Sequence, residues 1–355
     1  MLNNKMTIQF NRMKGLFLFV ALLTLLVSCN TQRSISGKQV KNHVKEKKER
    51  QGWDDANIHL YGDIDSVWIM TYAVTEELGK IKKGDLVGSR IVTFNQAGDV
   101  MEKVDYTIQV DITSFEDGKM VRRDTIKYGP NEVWSTKVIC SYNEAGKLIE
   151  ERCHYPEDRE ELDTKYIFTY DSVGNLIEKA YYEPRGFENE KYTYAYDSVG
   201  NRIETARYDA SGVMLWKDTN TYDSFGKRIK YLHYIAPGSV YVTMYPIYDA
   251  DGREIGNNYY SDGVMYLKST ITYDSAGNMI EHAVYSVDGE LYEKFTYAYD
   301  TANNKIEEAQ YRCDGKLTNK TKYTYDSYGN VIQSIEYNGE NVKPINLREY
   351  TITYR

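Results

Sequence analysis

From about residue 57 to the C-terminus, apolar side chains occur in short runs broken by polar turn residues, with no helical periodicity. The runs are rich in Tyr, Thr, Ile and Val, which suit a pleated surface. A Tyr-Asp pair marks the pattern at Tyr170, Tyr196, Tyr222, Tyr248, Tyr273, Tyr299 and Tyr325, at intervals of 26 residues with one of 25. Counting that Tyr as zero, position +4 is Gly in six units and Asn303 in the seventh. Position +7 is Ile throughout, from Ile177 to Ile332, and +12 is Tyr throughout, from Tyr182 to Tyr337. A second Gly falls near +16, as at Gly212, Gly289 and Gly315. Self-similarity at this period signals a repeat architecture.

Each unit therefore holds two turns. In the first, Asp supplies an Asx-type bond and Gly-Asn supplies positive φ. The second is centred on Asp-Gly or Ser-Gly. Two strands of about eight residues per unit follow, in an antiparallel meander. Ile at +7 and Tyr at +12 have opposite parity, so either both faces carry apolar groups or a bulge near +8 or +9 restores one face. Decayed units precede the regular ones, at Phe94–Gly98 and Tyr142–Gly146, with an intervening turn at Phe115–Gly118.

The predicted fold is all-β, an antiparallel meander forming an extended, twisted or curled repeat sheet. Roughly twenty strands at about 4.8 Å would span about 100 Å if flat, so the sheet must twist or curl. The expected divisions are 1–29, a signal segment; 30–56, a charged tether; 57–160, divergent N-terminal repeats that cap the stack; and 161–355, the regular repeats.

The N-terminus reads as an address. Lys5, Arg12 and Lys14 precede an apolar run of thirteen residues, 15–27, too short to span a bilayer comfortably. The run ends in Leu26-Val27-Ser28-Cys29, which resembles the lipobox of bacterial lipoproteins. That resemblance implies lipidation of Cys29 and a membrane anchor without a spanning helix. Met13 is an alternative start to Met1. Asn30 after the Cys, in place of Asp, favours the outer membrane, and the lack of acidic residues in Asn30-Thr31-Gln32-Arg33 favours its periplasmic face over the cell surface. Residues 30–51 hold no aromatic and end in a mixed Lys/Glu run, as a solvated tether does.

Composition sharpens this picture. Mean hydropathy is −0.61, and Tyr, with 35 residues, carries much of the apolar load. Tyr packs its ring and keeps its hydroxyl wet. Net charge is −8, so the field has the wrong sign for nucleic acid. Beyond Cys29 stand Cys140, Cys153 and Cys313, an odd number that excludes a full disulfide framework. Cys140 and Cys153 flank one turn, and their pairing depends on strand register.

Tyr-Asp-x-x-Gly-Asn, then Ile-Glu, Tyr and Asp-Gly resembles the YD repeats of the Rhs family, most closely over 273–297 and 299–323. The resemblance covers about residues 90 to 355. It implies a β-sheet wound into a spiral or hollow shell. It extends to small YD-repeat lipoproteins of Bacteroidetes type rather than to the large toxins, because no autoproteolysis motif or toxin domain is found. It implies fold and address, and no activity.

No catalytic, cofactor or metal-binding residues are nominated, and no enzyme is expected. The five histidines show no metal spacing and are expected at the surface. No Gly-x-Ser-x-Gly, His-Glu-x-x-His or P-loop occurs. The Asp ladder could offer oxygens to Ca²⁺, but turn geometry accounts for each Asp. Departures from the repeat are the better functional candidates: Trp216, Tyr241 and Tyr245, around the aberrant 236–239. Ser172, Ser198, Ser275 and Thr301 resemble the Asp-Ser/Thr-aliphatic O-glycosylation acceptor of exported Bacteroidetes proteins. The expected function is a membrane-anchored, non-enzymatic scaffold that binds a protein or glycan. The alternative is a YD-shell or immunity-type partner of an Rhs-like toxin.

Overall fold

The computed structural model describes residues 58–77, 80–107, 112–116, 119–124, 136–155, 163–184, 189–235, 239–339 and 342–355. The signal segment, Cys29 and the tether lie outside the described residues. The described residues Leu60–Arg355 belong to one compact unit.

Its strands are β1 (Ile64–Glu77), β2 (Lys80–Phe94), β3 (Val100–Thr107), β4 (Ile112–Glu116), β5 (Lys119–Asp124), β6 (Thr136–Tyr142) and β7 (Leu148–His154). The regular region supplies β8 (Thr164–Tyr170), β9 (Leu176–Tyr182), β10 (Lys191–Tyr196), β11 (Arg202–Tyr208), β12 (Met214–Tyr222), β13 (Arg228–Ile235), β14 (Ser239–Tyr248) and β15 (Glu254–Ser261). It ends with β16 (Val264–Tyr273), β17 (Met279–Ser286), β18 (Leu291–Tyr299), β19 (Lys305–Arg312), β20 (Leu317–Tyr325), β21 (Val331–Asn338) and β22 (Lys343–Tyr354). Among the described residues, twenty strands form one antiparallel sheet, each paired with its neighbours in sequence. The exception is β4 and β5, a two-stranded antiparallel sheet inserted between β3 and β6; the turn expected at 115–118 lies partly outside the described residues.

The turn is the element that the sequence dictates most tightly. Asp171 N–H donates to Asn175 O at 2.9 Å, and Gly174, with φ 92°, donates to Asp171 O at 3.1 Å. Asp171 Oδ1 accepts from the N–H groups of Val173 (3.0 Å) and Asn175 (2.8 Å), while Oδ2 accepts from the Asn175 amide at 2.9 Å. The second turn of the repeat has the same backbone bonds, as at Asp209–Val213. The 26-residue unit is thus two copies of one hairpin. The single 25-residue interval is explained by Asp262 (φ 50°) and Gly263 (φ 77°), a two-residue turn.

Each turn is followed by a bulge. Tyr170 faces Leu176 and Thr169 faces Glu178, so Ile177 at +7 is the extra residue. The expected bulge exists, but it falls on the Ile itself rather than at +8 or +9. It leaves Tyr at zero facing inward and Tyr at +12 facing outward. Several of the bulged Ile side chains, such as Ile229 and Ile306, are substantially exposed.

The sheet closes. Val67 pairs with Ile352 and Ile69 with Tyr350, so β1 joins β22 and the twenty strands form a barrel. The all-β antiparallel expectation holds, but the extended, twisted or curled sheet is closed into a barrel. Bulges raise local twist and curl. Closure removes both edges, with their unpaired N–H and C=O groups. The divergent N-terminal strands meet the C-terminal ones instead of capping a stack. At the seam, Asn330 is fully buried. Its amide accepts from Tyr61 N at 2.5 Å, donates to Tyr61 O at 3.1 Å and donates to Tyr354 Oη at 2.7 Å.

The inward face holds the core: Val67, Val92, Met244, Tyr259, Leu267 and Val284 are buried. The zero-position tyrosines staple hairpin to hairpin. Tyr170, Tyr196, Tyr248, Tyr273 and Tyr299 each donate to a carbonyl of the preceding unit, at 2.7–2.9 Å.

Candidate functional site

The consensus residues are consumed by the fold. The turn carboxylates accept bonds from their own loops, which hold Asp171 and Asp197 below the usual carboxylate range. On the outward face, Glu at +8, Lys at +21 and the next Tyr form columns. Lys217 Nζ lies 3.3 Å from Glu204 and 5.4 Å from the centroid of the Tyr234 ring. Glu178–Lys191–Tyr208 and Glu281–Lys294–Tyr311 repeat the arrangement. Small Ala206 and Ala283 at +10 lie opposite Lys217 and Lys294, and both are fully buried.

A lipid-facing barrel surface is an apolar band. These ion pairs stand on the outward face, which suits water instead. Among the described residues, no helix is long and apolar enough to cross a membrane.

The outward columns break across β13–β16. The +8 position there is Lys230 and then Gly256, and Thr243 replaces one Lys. A Cβ on Gly256 would lie 2.1 Å from Ser269 O, so no side chain fits. Tyr245 occupies a position held by Thr193, Thr219, Thr270 and Thr296 in other units. Ile247 occupies one held by Thr169, Ala195, Thr221 and Thr272. Tyr245 is 41% exposed and packs edge-on against Tyr260, with centroids 5.5 Å apart. Lys230 Nζ lies 6.0 Å from the Tyr245 centroid. The sole carboxylate on these four strands is Glu254, whose side chain is 9% exposed and faces Arg228. The result is an outward patch of Tyr, Ile, Asn258, Thr and two lysines.

The structure divides the three sequence candidates. Tyr245 is in this patch, while Trp216 and Tyr241 meet on the inward face, around His233. The Trp216 and Tyr241 centroids stand 6.1 and 6.3 Å from the His233 ring. Asp218 Oδ1 lies 2.7 Å from His233 Nδ1 and accepts from the Tyr231 hydroxyl at 2.8 Å. Burial, with the Asp218 carboxylate alongside, pushes the Tyr231 phenol far up.

The histidine expectation needs correction. His59 is exposed and His154 is half-buried, 2.7 Å from Asp163. His233 and His282, however, are 5% and 4% exposed. His43 lies outside the described residues. Burial lowers His282 to about 4, and its Nε2 has no partner among the described residues. The sequence signal was available once the bulge is placed: after +7, positions +9 and +11 face inward, and these are His282 and His233.

Cys140 and Cys153 form no disulfide. Cys140 faces Glu151 and Cys153 faces Val138, a diagonal register that keeps them apart. Ser172, Ser198, Ser275 and Thr301 stand exposed at turn tips. A cleft of about 470 Å³ beside β9 and β10 is lined by Glu178, Tyr182, Lys191 and Tyr208, but Glu178 and Lys191 are paired at 3.3 Å.

No family model and no curated protein matches the chain. Similar solved structures include TcdB2-TccC3 without its hypervariable C-terminal region, at 14% identity and TM-score 0.36, over 81% of this chain and 16% of that one. A porin-like protein from Bacteroides uniformis is 10% identical with TM-score 0.34, over 82% of this chain and 98% of that one. A second TcdB2-TccC3 structure is 11% identical with TM-score 0.23, over 84% of this chain and 22% of that one. The chain thus spans less than a quarter of either TcdB2-TccC3 chain. What the fold shares with the YD-repeat expectation is the antiparallel series of Tyr-Asp hairpins.

Proposed function

We propose that the chain is a non-enzymatic scaffold of the cell envelope, held to the periplasmic face of the outer membrane through lipidated Cys29. It binds a protein or glycan on the outward surface of β13–β16. The supporting observation is the local replacement of ion-pair columns by Tyr245, Ile247 and Tyr260. A periodic, charge-paired surface has no free valence for a partner. The break exposes aromatic and aliphatic area of the kind that carries binding energy. The turn-tip hydroxyls of Ser172, Ser198, Ser275 and Thr301 are proposed acceptors for O-glycans, with Ser275 in the turn that follows β16.

A photo-crosslinker placed at residue 245 of the full chain, in cells, tests the reading. The expected result is an envelope component trapped at 245 and absent when the crosslinker sits at Thr219. Equal labelling at both positions, or none at either, contradicts it. Intact-mass analysis of native protein tests the modifications: a mass equal to the lipidated chain alone removes the O-glycan proposal.

A further inference from the structure

The chemistry of the patch narrows the partner class, and this step rests on the binding reading above. We propose that the outward face of β13–β16 binds an anionic glycan, a polysaccharide carrying carboxylates.

Charge is the first argument. In three of the outward columns the lysine has a carboxylate within 4 Å, as in Lys191–Glu178, Lys217–Glu204 and Lys294–Glu281, whereas Lys165 and Lys320 lie over the Tyr182 and Tyr337 rings. Lys230 and Lys268 have no ion pair among the described residues, and the one carboxylate on these strands is turned inward. A protein of net charge −8 thus keeps a window without acidic groups, holding two unneutralised cations. Lys230 is on β13 and Lys268 on β16, three strand spacings or about 14 Å apart. That span suits a chain-like ligand better than a single small anion.

The second argument concerns the kind of chain. Peptides that bind sheets commonly add a strand to an exposed edge. Here β14 pairs with β13 and β15, and β16 pairs with β17, so the main chain under the patch is already bonded. The barrel offers no edge here, because β1 and β22 close it. Recognition must come from side chains alone. Those side chains are Asn258, Thr243 and Thr270, which hydrogen-bond hydroxyls, and Tyr245 and Tyr260, whose rings stack on sugar faces. Tyr245 has its exposed ring beside Lys230, so stacking and charge act at one point.

The test uses the full lipidated chain in detergent and three probes: polygalacturonate, neutral dextran and poly-glutamate. Calorimetry is expected to show polygalacturonate binding that weakens as salt rises. Joint Lys230→Glu and Lys268→Glu substitution lowers that affinity by about tenfold or more, a change of about 1.4 kcal/mol or more. Tyr245→Ala also lowers it, whereas Lys294→Glu, with the same charge change per site in an intact column, leaves it within about twofold. Dextran does not bind, and poly-glutamate binds at least about tenfold more weakly. Equal binding of poly-glutamate, or indifference to the two patch lysines, overturns the inference. A protein trapped at residue 245 together with no polygalacturonate binding also overturns it, while leaving the scaffold reading intact.

Discussion

The hydroxyl of Tyr299 donates to the carbonyl oxygen of Met279 at 2.9 Å, joining one hairpin to the one before it. The carbonyl belongs to the strand that opens after the preceding turn, so the bond crosses between repeats. Without the hydroxyl, that contact is lost. Tyr299→Phe is expected to cost about 1 kcal/mol, read as a lower urea midpoint at unchanged slope. An unchanged midpoint would show that the staple contributes nothing.

The seam is expected to be more sensitive. Asn330 is buried and bonds both polar groups of the Tyr61 backbone as well as Tyr354 Oη. Asn330→Ala removes these three bonds from a buried site, at a cost of about 2–4 kcal/mol. Limited proteolysis checks it: cleavage should begin near residue 61 in the variant, and an identical digestion pattern would sink the clasp.

Two groups of titrating residues give separable pH effects. His282 falls to about 4 on burial, against about 6.5 for a free imidazole. Between those values the unfolded chain binds more protons than the folded one. The stability is therefore fully present above about pH 6.5 and lost as pH falls toward 4, on the order of 3 kcal/mol in all. His282→Leu should flatten urea midpoints over this window. A midpoint series parallel to wild type would contradict the assignment.

The turn carboxylates act lower. Hydrogen bonds from the loops hold Asp171, Asp197, Asp209, Asp249 and Asp274 below their ordinary value. Their contribution is present above the unfolded carboxylate value, about 3.9, and lost as pH falls through the folded values. Asp274→Asn should reduce the stability lost between pH 4 and pH 2. An acid limb as steep as wild type would exclude Asp274 from it.

The repeat was readable because its turns need particular residues. Asp at +1, Gly at +4 and Asn at +5 each make a bond or a backbone angle that few others supply. Closure was not readable, because β1 and β22 pair through backbone groups that every residue carries. The bulge position was masked for a similar reason: Ile177 reads as one more apolar residue in a run. That single-residue slip reverses strand parity, so it hid the inward placement of Trp216, His233 and His282. Tyr245 was legible as a departure from the repeat, yet its side of the sheet became clear only with the register.

The central claim is that function sits where the repeat breaks, and restoring the repeat tests it most directly. Lys230→Glu, Thr243→Lys, Tyr245→Thr and Ile247→Thr together rebuild the regular outward column. The rebuilt protein should unfold at or above the wild-type urea midpoint, because its surface then matches its neighbours. In the crosslinking assay, with the photo-crosslinker moved to Asn258 in both proteins, the envelope partner trapped by wild type should disappear. A rebuilt, folded protein that still traps the same partner as strongly as wild type would contradict the account.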